Sequence, residues 1–486
     1  MVVIGHNREK VFALTQHVVL VDVGCVALQW VFLNHNNPDS EKAPRMRPLQ
    51  SLTLEAMIEL LSTAFAHMPD RRQADRVTYS LHDTLMSGFA MMFFQHSSLL
   101  EFQRQMKQRR GRCNLETIFG VHEVPSDTQM REILDGVPPE FLQQLLPTLF
   151  KKVRRAGWAT EFKSTVACGD HQGDSYTAML DGSDYFHSTT LQCPGCLQRT
   201  DGNSQVHFRH TVVSATLVKA GSHRVLPLEV EEVRNSDGQN KQDCELNAAK
   251  RLLARLRQEH PQLPLIIGGD DLYCHEPFIA QLRDLRLHHV LVCKPGSHPE
   301  LYREVAAQAA LGALEQGTWH EGPACRRRFY TYRLAPSVPL TASHRLRGTF
   351  VEVWEYDREG KQLYHNAWFT DLEVTSDNVA SIVRIGRSRW KIENEQFNVH
   401  KNHGYELEHN YGHGQQTLSM VFYLLNLLAF IAHMILERGD RLYQRCLATT
   451  SRRELWHTLR TAMRMLLVSA WADFLLIYLD EVGPAP

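Results

Sequence analysis

Arg389 and Glu393 stand four residues apart in the stretch Ile385 to Gly414, IGRSRWKIENEQFNVHKNHGYELEHNYGHG, which opens as an amphipathic helix. Residues at that spacing project from one helix face. A carboxylate held beside a guanidinium stays ionised at neutral pH, the state a divalent metal requires of its ligand. Ile392 and Phe397 supply an adjoining apolar stripe, while Trp390, Asn398 and Lys401 flank the pair. Two further acids complete a set. Asp181 in LDGSDYF and Asp270 in IIGGDDLY each close an apolar run that reads as a strand. Side chains at strand ends line the ligand crevice of an α/β sheet. Asp-Gly and Asp-Asp are also ordinary turn residues, so the joint occurrence of three acids favours chemistry where one alone would not. Three carboxylates can hold two Mg²⁺ ions about 4 Å apart, one activating an attacking oxygen and one stabilising a leaving oxygen. Hard oxygen ligands suit magnesium or manganese rather than zinc. Neighbouring Asp271 alternates to the face opposite Asp270, and Asp184 lies beyond the turn, so neither is expected to join the set.

The elements that must position these groups change character along the chain. Residues 1–48 form an extension with little pattern. Its apolar run Val18–Phe32 contains Asp22 and lacks a small-residue cleavage site, so it does not read as a secretory signal. Residues 49–163 are helical in period. Pro125-Ser126-Asp127-Thr128 opens a helix around Met130 to Leu134, and Gly136 closes it. Basic clusters at Arg104–Arg112, including Arg109 and Arg110, and at Lys151–Arg155 make this a candidate DNA-binding domain of helix-turn-helix type. From 164 to 294 the period turns to strands: Tyr176–Leu180, Val206–Lys219, His223–Val233, Leu263–Gly269 and His289–Cys293. Helices at Lys241–His260 and Glu276–Leu285 interleave with the later strands, predicting a mixed sheet flanked by helices. Residues 295–374 are β-rich, with strands at Arg328–Leu334, Thr349–Tyr356 and Gln362–Phe369, and read as an antiparallel insertion. A final helix capped by Thr375 or Ser376 should run through Glu393, within a segment 375–440 that completes the core. A helical segment, 441–486, closes the chain.

Hydrophobic residues at 43% and charged residues at 22% mark an ordinary soluble composition. A net charge of −1 leaves any nucleic-acid footprint to local patches, of which Arg326–Arg328 and Arg384–Lys391 are two more. Ten cysteines without a regular framework fit reduced thiols in a cytoplasm. Met420–Leu436 is nearly membrane-like but is interrupted by Asn426 and His433 and falls short of the roughly 20 residues a span needs, so a buried helix and no membrane association are expected. Cys193 and Cys196, in CPGC, are followed by His207 and His210 at a spacing that could hold zinc. Those histidines lie three apart on a strand and so on opposite faces, which leaves a pair of reduced structural thiols as the plainer expectation.

The motifs DGSDYF, CPGCLQR, GDDLY and RWKIENEQFNVHKNHGYELEHNYGHG resemble the DDE transposases of bacterial insertion sequences, the ISNCY-type group in particular, over roughly residues 70–440. The resemblance implies an RNase H-like catalytic core in which Asp181, Asp270 and Glu393 are the catalytic metal ligands, and it matches 295–374 to the insertion such enzymes carry before the glutamate. It implies that Arg389 and a downstream lysine contact DNA phosphate, and that a homodimer grips two terminal inverted repeats before joining them to target DNA. An RNase H-like nuclease without strand transfer and a domesticated, non-catalytic DNA-binding protein are the alternatives. The chain departs from the related Tyr-Arg-Glu-Lys signature at two places. Its lysine position, seven residues after the glutamate, is His400, with Lys401 next; its tyrosine position is Gly386. At about 100° per residue, seven positions return to within about 20° of Glu393 and eight swing to about 80°, so His400 is the better aligned and Lys401 the better suited chemically.

Overall fold

Capping chemistry sets the first helices of the computed structural model, which describes residues 52–167, 175–235 and 244–482. The extension expected at 1–48 lies outside these residues. Thr53, Ser80, Ser98 and Ser126 each accept a hydrogen bond from the backbone N–H three residues on, satisfying donors that a first helical turn leaves open. The helices are α1 (Leu54–Ala66), α2 (Leu81–Phe93), α3 (Leu99–Met106), α4 (Arg109–Phe119), α5 (Asp127–Asp135), α6 (Pro139–Gln143) and α7 (Leu145–Arg155). Helix α5 begins and ends where its sequence signals placed it, at Ser126 and Gly136.

Strands β1 (Lys163–Ser164), β2 (Ser175–Ser188), β3 (Leu197–Thr200), β4 (Val206–Val218) and β5 (Val225–Val233) come next in the chain. After them stand α8 (Glu245–Glu259), β6 (Leu265–Gly269), α9 (Glu276–Asp284), β7 (His288–Val292) and α10 (Pro299–Ala310). An antiparallel run then comprises β8 (Glu315–Glu321), β9 (Arg328–Pro339), β10 (Arg347–Tyr356) and β11 (Gln362–Thr370). All these strands belong to one mixed 11-stranded sheet of order β3-β4-β2-β6-β7-β11-β10-β9-β8, with β1 also on β2 and β5 also on β4. Among the described strands, only β2–β6 and β6–β7 pair in parallel. The short strands β3 and β8 carry no sequence signal, because their four and seven largely exposed residues show no apolar alternation.

Period-two alternation divides the sheet into two faces, each with its own core. Ala178, Leu180, Leu265 and Ile267 pack with the N-terminal helices, whereas Met179, Ile266, Val290 and Val292 pack with Val351, Val353, Trp368 and the helix after β11. That helix, α11 (Val379–Arg387), stops short of Glu393. A π-helical turn, Ile392–Phe397, comes next, then α12 (Asn398–Asn402). Its start also differs from expectation: Asn378, rather than Thr375 or Ser376, is the capping residue, and its Oδ1 accepts from Thr375 N at 2.9 Å.

The 295–374 segment is not set apart from the core. β11 pairs antiparallel with β7, Trp368 opposite Val292, so β8–β11 extend the central sheet. The helical region before residue 163 is likewise joined to the end of the chain. Helices α13 (Leu418–Gly439), α14 (Arg441–Thr449), α15 (Arg452–Met465) and α16 (Trp471–Val482) share one core with α1–α7. The near-membrane-like run forms α13, the one described helix long and apolar enough to cross a bilayer; 89% of its most apolar window is buried in the protein.

Candidate active site

Strand register brings the two aspartates together. In the parallel β2–β6 pairing, Tyr176 faces Leu265 and Met179 faces Gly268; two residues further along both strands stand Asp181 and Asp270. Asp181 shares its strand face with Met179, and Asp270 shares one with Ile266. Both therefore point toward the α11 side of the sheet, where Ile392 and Phe397 are buried. Asp181 does not end its strand as expected. β2 continues to Ser188 because β4 still pairs with it there, Asp181 opposite Ser214. It is β6 that stops, at Gly269, and so opens the space beside Asp181.

Arg389 links the third acid to Asp181. Its guanidinium lies 3.3 Å from Glu393 Oε2 and 3.7 Å from Asp181 Oδ2. Asp270 caps the short turn Asp271–Tyr273 through Oδ1, which accepts from Leu272 N at 2.9 Å, so the turn role is real and leaves the other oxygen available. A fourth acid escapes the sequence signals. Glu245, the first residue of α8, accepts from Tyr273 Oη at 2.5 Å. Gly182 makes room for it, since a Cβ there would sit 2.6 Å from Glu245 Oε2. Nothing in the spacing around Glu245 distinguishes it from a helix-starting glutamate; the GDDLY tyrosine that holds it is the available signal.

The electrostatics record the crowding. Burial pushes the Asp181 carboxyl up; Arg389 opposes this, and Glu393, Glu245 and Asp270 add to it, leaving it raised to about 7. Glu245 is raised as well, by burial and by Asp270 and Asp184, against the hydrogen bond from Tyr273. Two of these carboxylates, Asp181 and Glu393, face the Arg389 guanidinium; among the described residues, the acids do not gather closely enough to share one ion, as Cys193, Cys196, His210 and His413 do. Asp184 and Asp271 are engaged elsewhere: Asp184 with Thr211 and Arg209, Asp271 with Lys294 N, Ser297 and His298.

The groups expected to meet DNA are dispersed. Trp390 is exposed beside the site, with Lys391 Nζ 4.5 Å from its ring centre. Lys401 reaches Glu408 at 2.8 Å. His400 does not face solvent at all; it is fully buried between Tyr405 and Phe430. The α-helical phase that aligns it with Glu393 fails because the π turn is wider than an α turn and rotates the residues beyond it. At the signature's tyrosine position, a Cβ on Gly386 would meet the Trp368 indole at 2.3 Å, so the core leaves no room for a side chain there. Arg109 and Arg110 are exposed at the start of α4, Arg110 also donating to Met465 O at 2.8 Å. Several other basic residues are neutralised locally, Lys151 by Glu259, Arg384 by Glu321 and Arg387 by Glu355. Cys193 and Cys196 lie apart from the acids, grouped with His210 and with His413 from the NYGHG motif. His207 instead faces His187 and Asp201.

No protein-family model matches this chain, and neither does any curated protein sequence.

Proposed function

We propose that the chain is a DDE-type transposase with an RNase H-like core, which binds the terminal inverted repeats of its element, hydrolyses the end phosphodiester and joins the freed 3′-hydroxyl to target DNA. The observation that supports this reading is that Asp181 and Asp270 stand at the same level of two parallel strands, with Arg389 reaching both Asp181 and Glu393. Magnesium or manganese ions held by these three acids would supply the activated oxygen nucleophile and the stabilised leaving oxygen. The remaining work falls to the protein. Arg389, released from the carboxylates once their charge is met, presents a planar two-donor fork suited to a phosphate. Trp390 offers an exposed ring on which an unpaired base can stack. Tyr273 holds Glu245 near the site, where its charge adds to that of Asp181 and Asp270. Exposed Arg109 and Arg110 and the amine of Lys401 are the candidates for backbone contacts along the duplex. In this reading the enzyme works as a homodimer on cytoplasmic, nucleoid-associated DNA.

The test is the purified full chain with Mg²⁺ and the DNA that flanks its own gene. Nicking at discrete ends, followed by joined products, is expected. Asp181→Ala, Asp270→Ala and Glu393→Ala should each lower cleavage at least about a hundredfold, on the scale of removing a key charge-stabilising group, while end binding persists. Cleavage that survives any of the three would remove that acid from the site. Nicking without joined products would instead identify a nuclease, and a chain that binds DNA without cutting would be a domesticated DNA-binding protein.

A further inference from the structure

We infer that Cys193, Cys196, His210 and His413 form a structural zinc site that clamps the β2–β4 edge of the sheet to the loop following the Glu393 helix. This inference is independent of the transposase reading. The four residues come from three places: the knuckle between β2 and β3, strand β4, and the loop before α13. A tetrahedral zinc ion with sulfur bonds of about 2.3 Å and nitrogen bonds of about 2.05 Å requires ligand separations of about 3.8 Å for S···S, 3.6 Å for S···N and 3.4 Å for N···N. The observed separations are 3.8 Å between the two sulfurs, 3.4 Å from each sulfur to His210 Nε2, 3.3 Å from Cys196 Sγ to His413 Nε2, and 3.1 Å between the two Nε2 atoms. These five of the six edges lie within a few tenths of an ångström of the tetrahedron, and the sixth, Cys193 to His413, is within 4.8 Å.

The outer contacts orient the same atoms. His210 Nδ1 is 3.0 Å from Glu232 Oε1, and His413 Nδ1 is 3.0 Å from Gly414 O. Both partners are acceptors, so each Nδ1 can donate outward, while each Nε2 is the ring nitrogen that faces the sulfurs. Glu232 is itself fixed by Tyr185 Oη at 2.8 Å and Arg234 Nε at 3.3 Å. Two ring nitrogens and two sulfurs from three separate segments converge at these distances, the arrangement that ligands of one cation take. A carboxylate or carbonyl behind each ligating imidazole is the usual support of a metal site. Two soft sulfurs and two imidazoles select zinc over the hard cations proposed for the acids. With all four positions supplied by protein, the site has no open position and serves structure.

The experiment measures metal in the full-length protein, purified without chelator and exchanged into metal-free buffer. About one zinc per chain is expected. His413→Ala and Cys193→Ser should each lose at least about nine-tenths of it, while His207→Ala, the alternative that spacing alone suggests, keeps it. Wild-type protein reconstituted with Co²⁺ guards against variants that fail to fold: intense visible ligand-field bands and a thiolate-to-cobalt charge-transfer band are expected. Folded wild-type protein that retains no zinc and takes up neither Zn²⁺ nor Co²⁺ would overturn the assignment. So would a His207→Ala variant that loses the metal while His413→Ala retains it.

Discussion

Arg389 stands between two of the acids, and its chemistry separates charge from shape. It bridges Glu393 at 3.3 Å and Asp181 at 3.7 Å. An ammonium at the same place would keep the charge and lose the planar fork. In the proposed transposase reading, Arg389→Lys is therefore expected to slow strand transfer about tenfold or more, the equivalent of one charged hydrogen bond. Unchanged rates at matched salt would mean that position 389 contributes only charge. The neighbouring choice between His400 and Lys401 is decided by burial. His400 is enclosed by aromatic rings, so in the same reading Lys401→Ala should weaken DNA turnover directly, whereas a change at His400 should act through folding. Burial lowers the His400 imidazole to about 3, below the unfolded value of about 6.5. Between those values the unfolded chain binds a proton that the folded one refuses. The stability contributed by neutral His400 is thus complete above about pH 6.5 and is lost as pH falls, by about 1.4 kcal/mol per pH unit. His96 and His433 are lowered to about 3 as well, each first by burial, and add to the slope. Melting temperature should drop between pH 7 and pH 5, and drop less in His400→Phe, whose ring fills the same pocket. Parallel decline in the two proteins would show that His400 does not titrate on unfolding.

At the scale of elements, the π turn at Ile392–Phe397 is the departure with the largest consequence. It inserts extra backbone into what the sequence reads as one continuous helix, and such turns recur at functional sites. It keeps Ile392 and Phe397 on the buried side while Glu393 remains about half exposed, its side chain at 53%. An α-helical count places the downstream basic residue wrongly for this reason, since no residue in IENEQF announces the change of pitch. β2 shows the opposite case. Its apolar start is legible, yet its end is not, because Asp181, Gly182, Ser183 and Asp184 have the composition of a turn. Pairing with β4, across a register shift between Asp184 and Phe186, holds them extended.

Across the whole molecule, the helical segments at the two ends of the described chain are halves of one core. Phe93 packs against His433 at 4.9 Å, Trp456 at 5.1 Å and Trp471 at 5.5 Å between ring centres. Such aromatic pairs add about 0.5–1.5 kcal/mol each beyond their burial. Asn114 reinforces the junction by donating to Met463 O at 2.7 Å and Leu466 O at 2.8 Å. Residues 49–163 expressed alone would expose this surface, so that fragment is expected to lack a cooperative thermal transition. Co-purified with residues 418–482 it should regain one. A sharp, reversible melt of the isolated fragment would restore it as an independent domain, and gel-shift on terminal-repeat DNA would then test its binding directly.

Local signals determined much of this protein by themselves. Alternation and apolar runs place β4 through β7, β10 and β11 to within a few residues, and a serine cap places α5. Those signals act over a few residues and are written in the order of the chain. The tertiary structure decided the relations between distant segments. It extends the β-rich segment from β7 as part of one sheet, buries His400, brings Glu245 to Asp181, and sets His413 217 residues from Cys196 but 3.3 Å away. A one-dimensional pattern can say that a histidine stands next to a glycine; only close packing of β4 against the loop before α13 says which sulfur it meets.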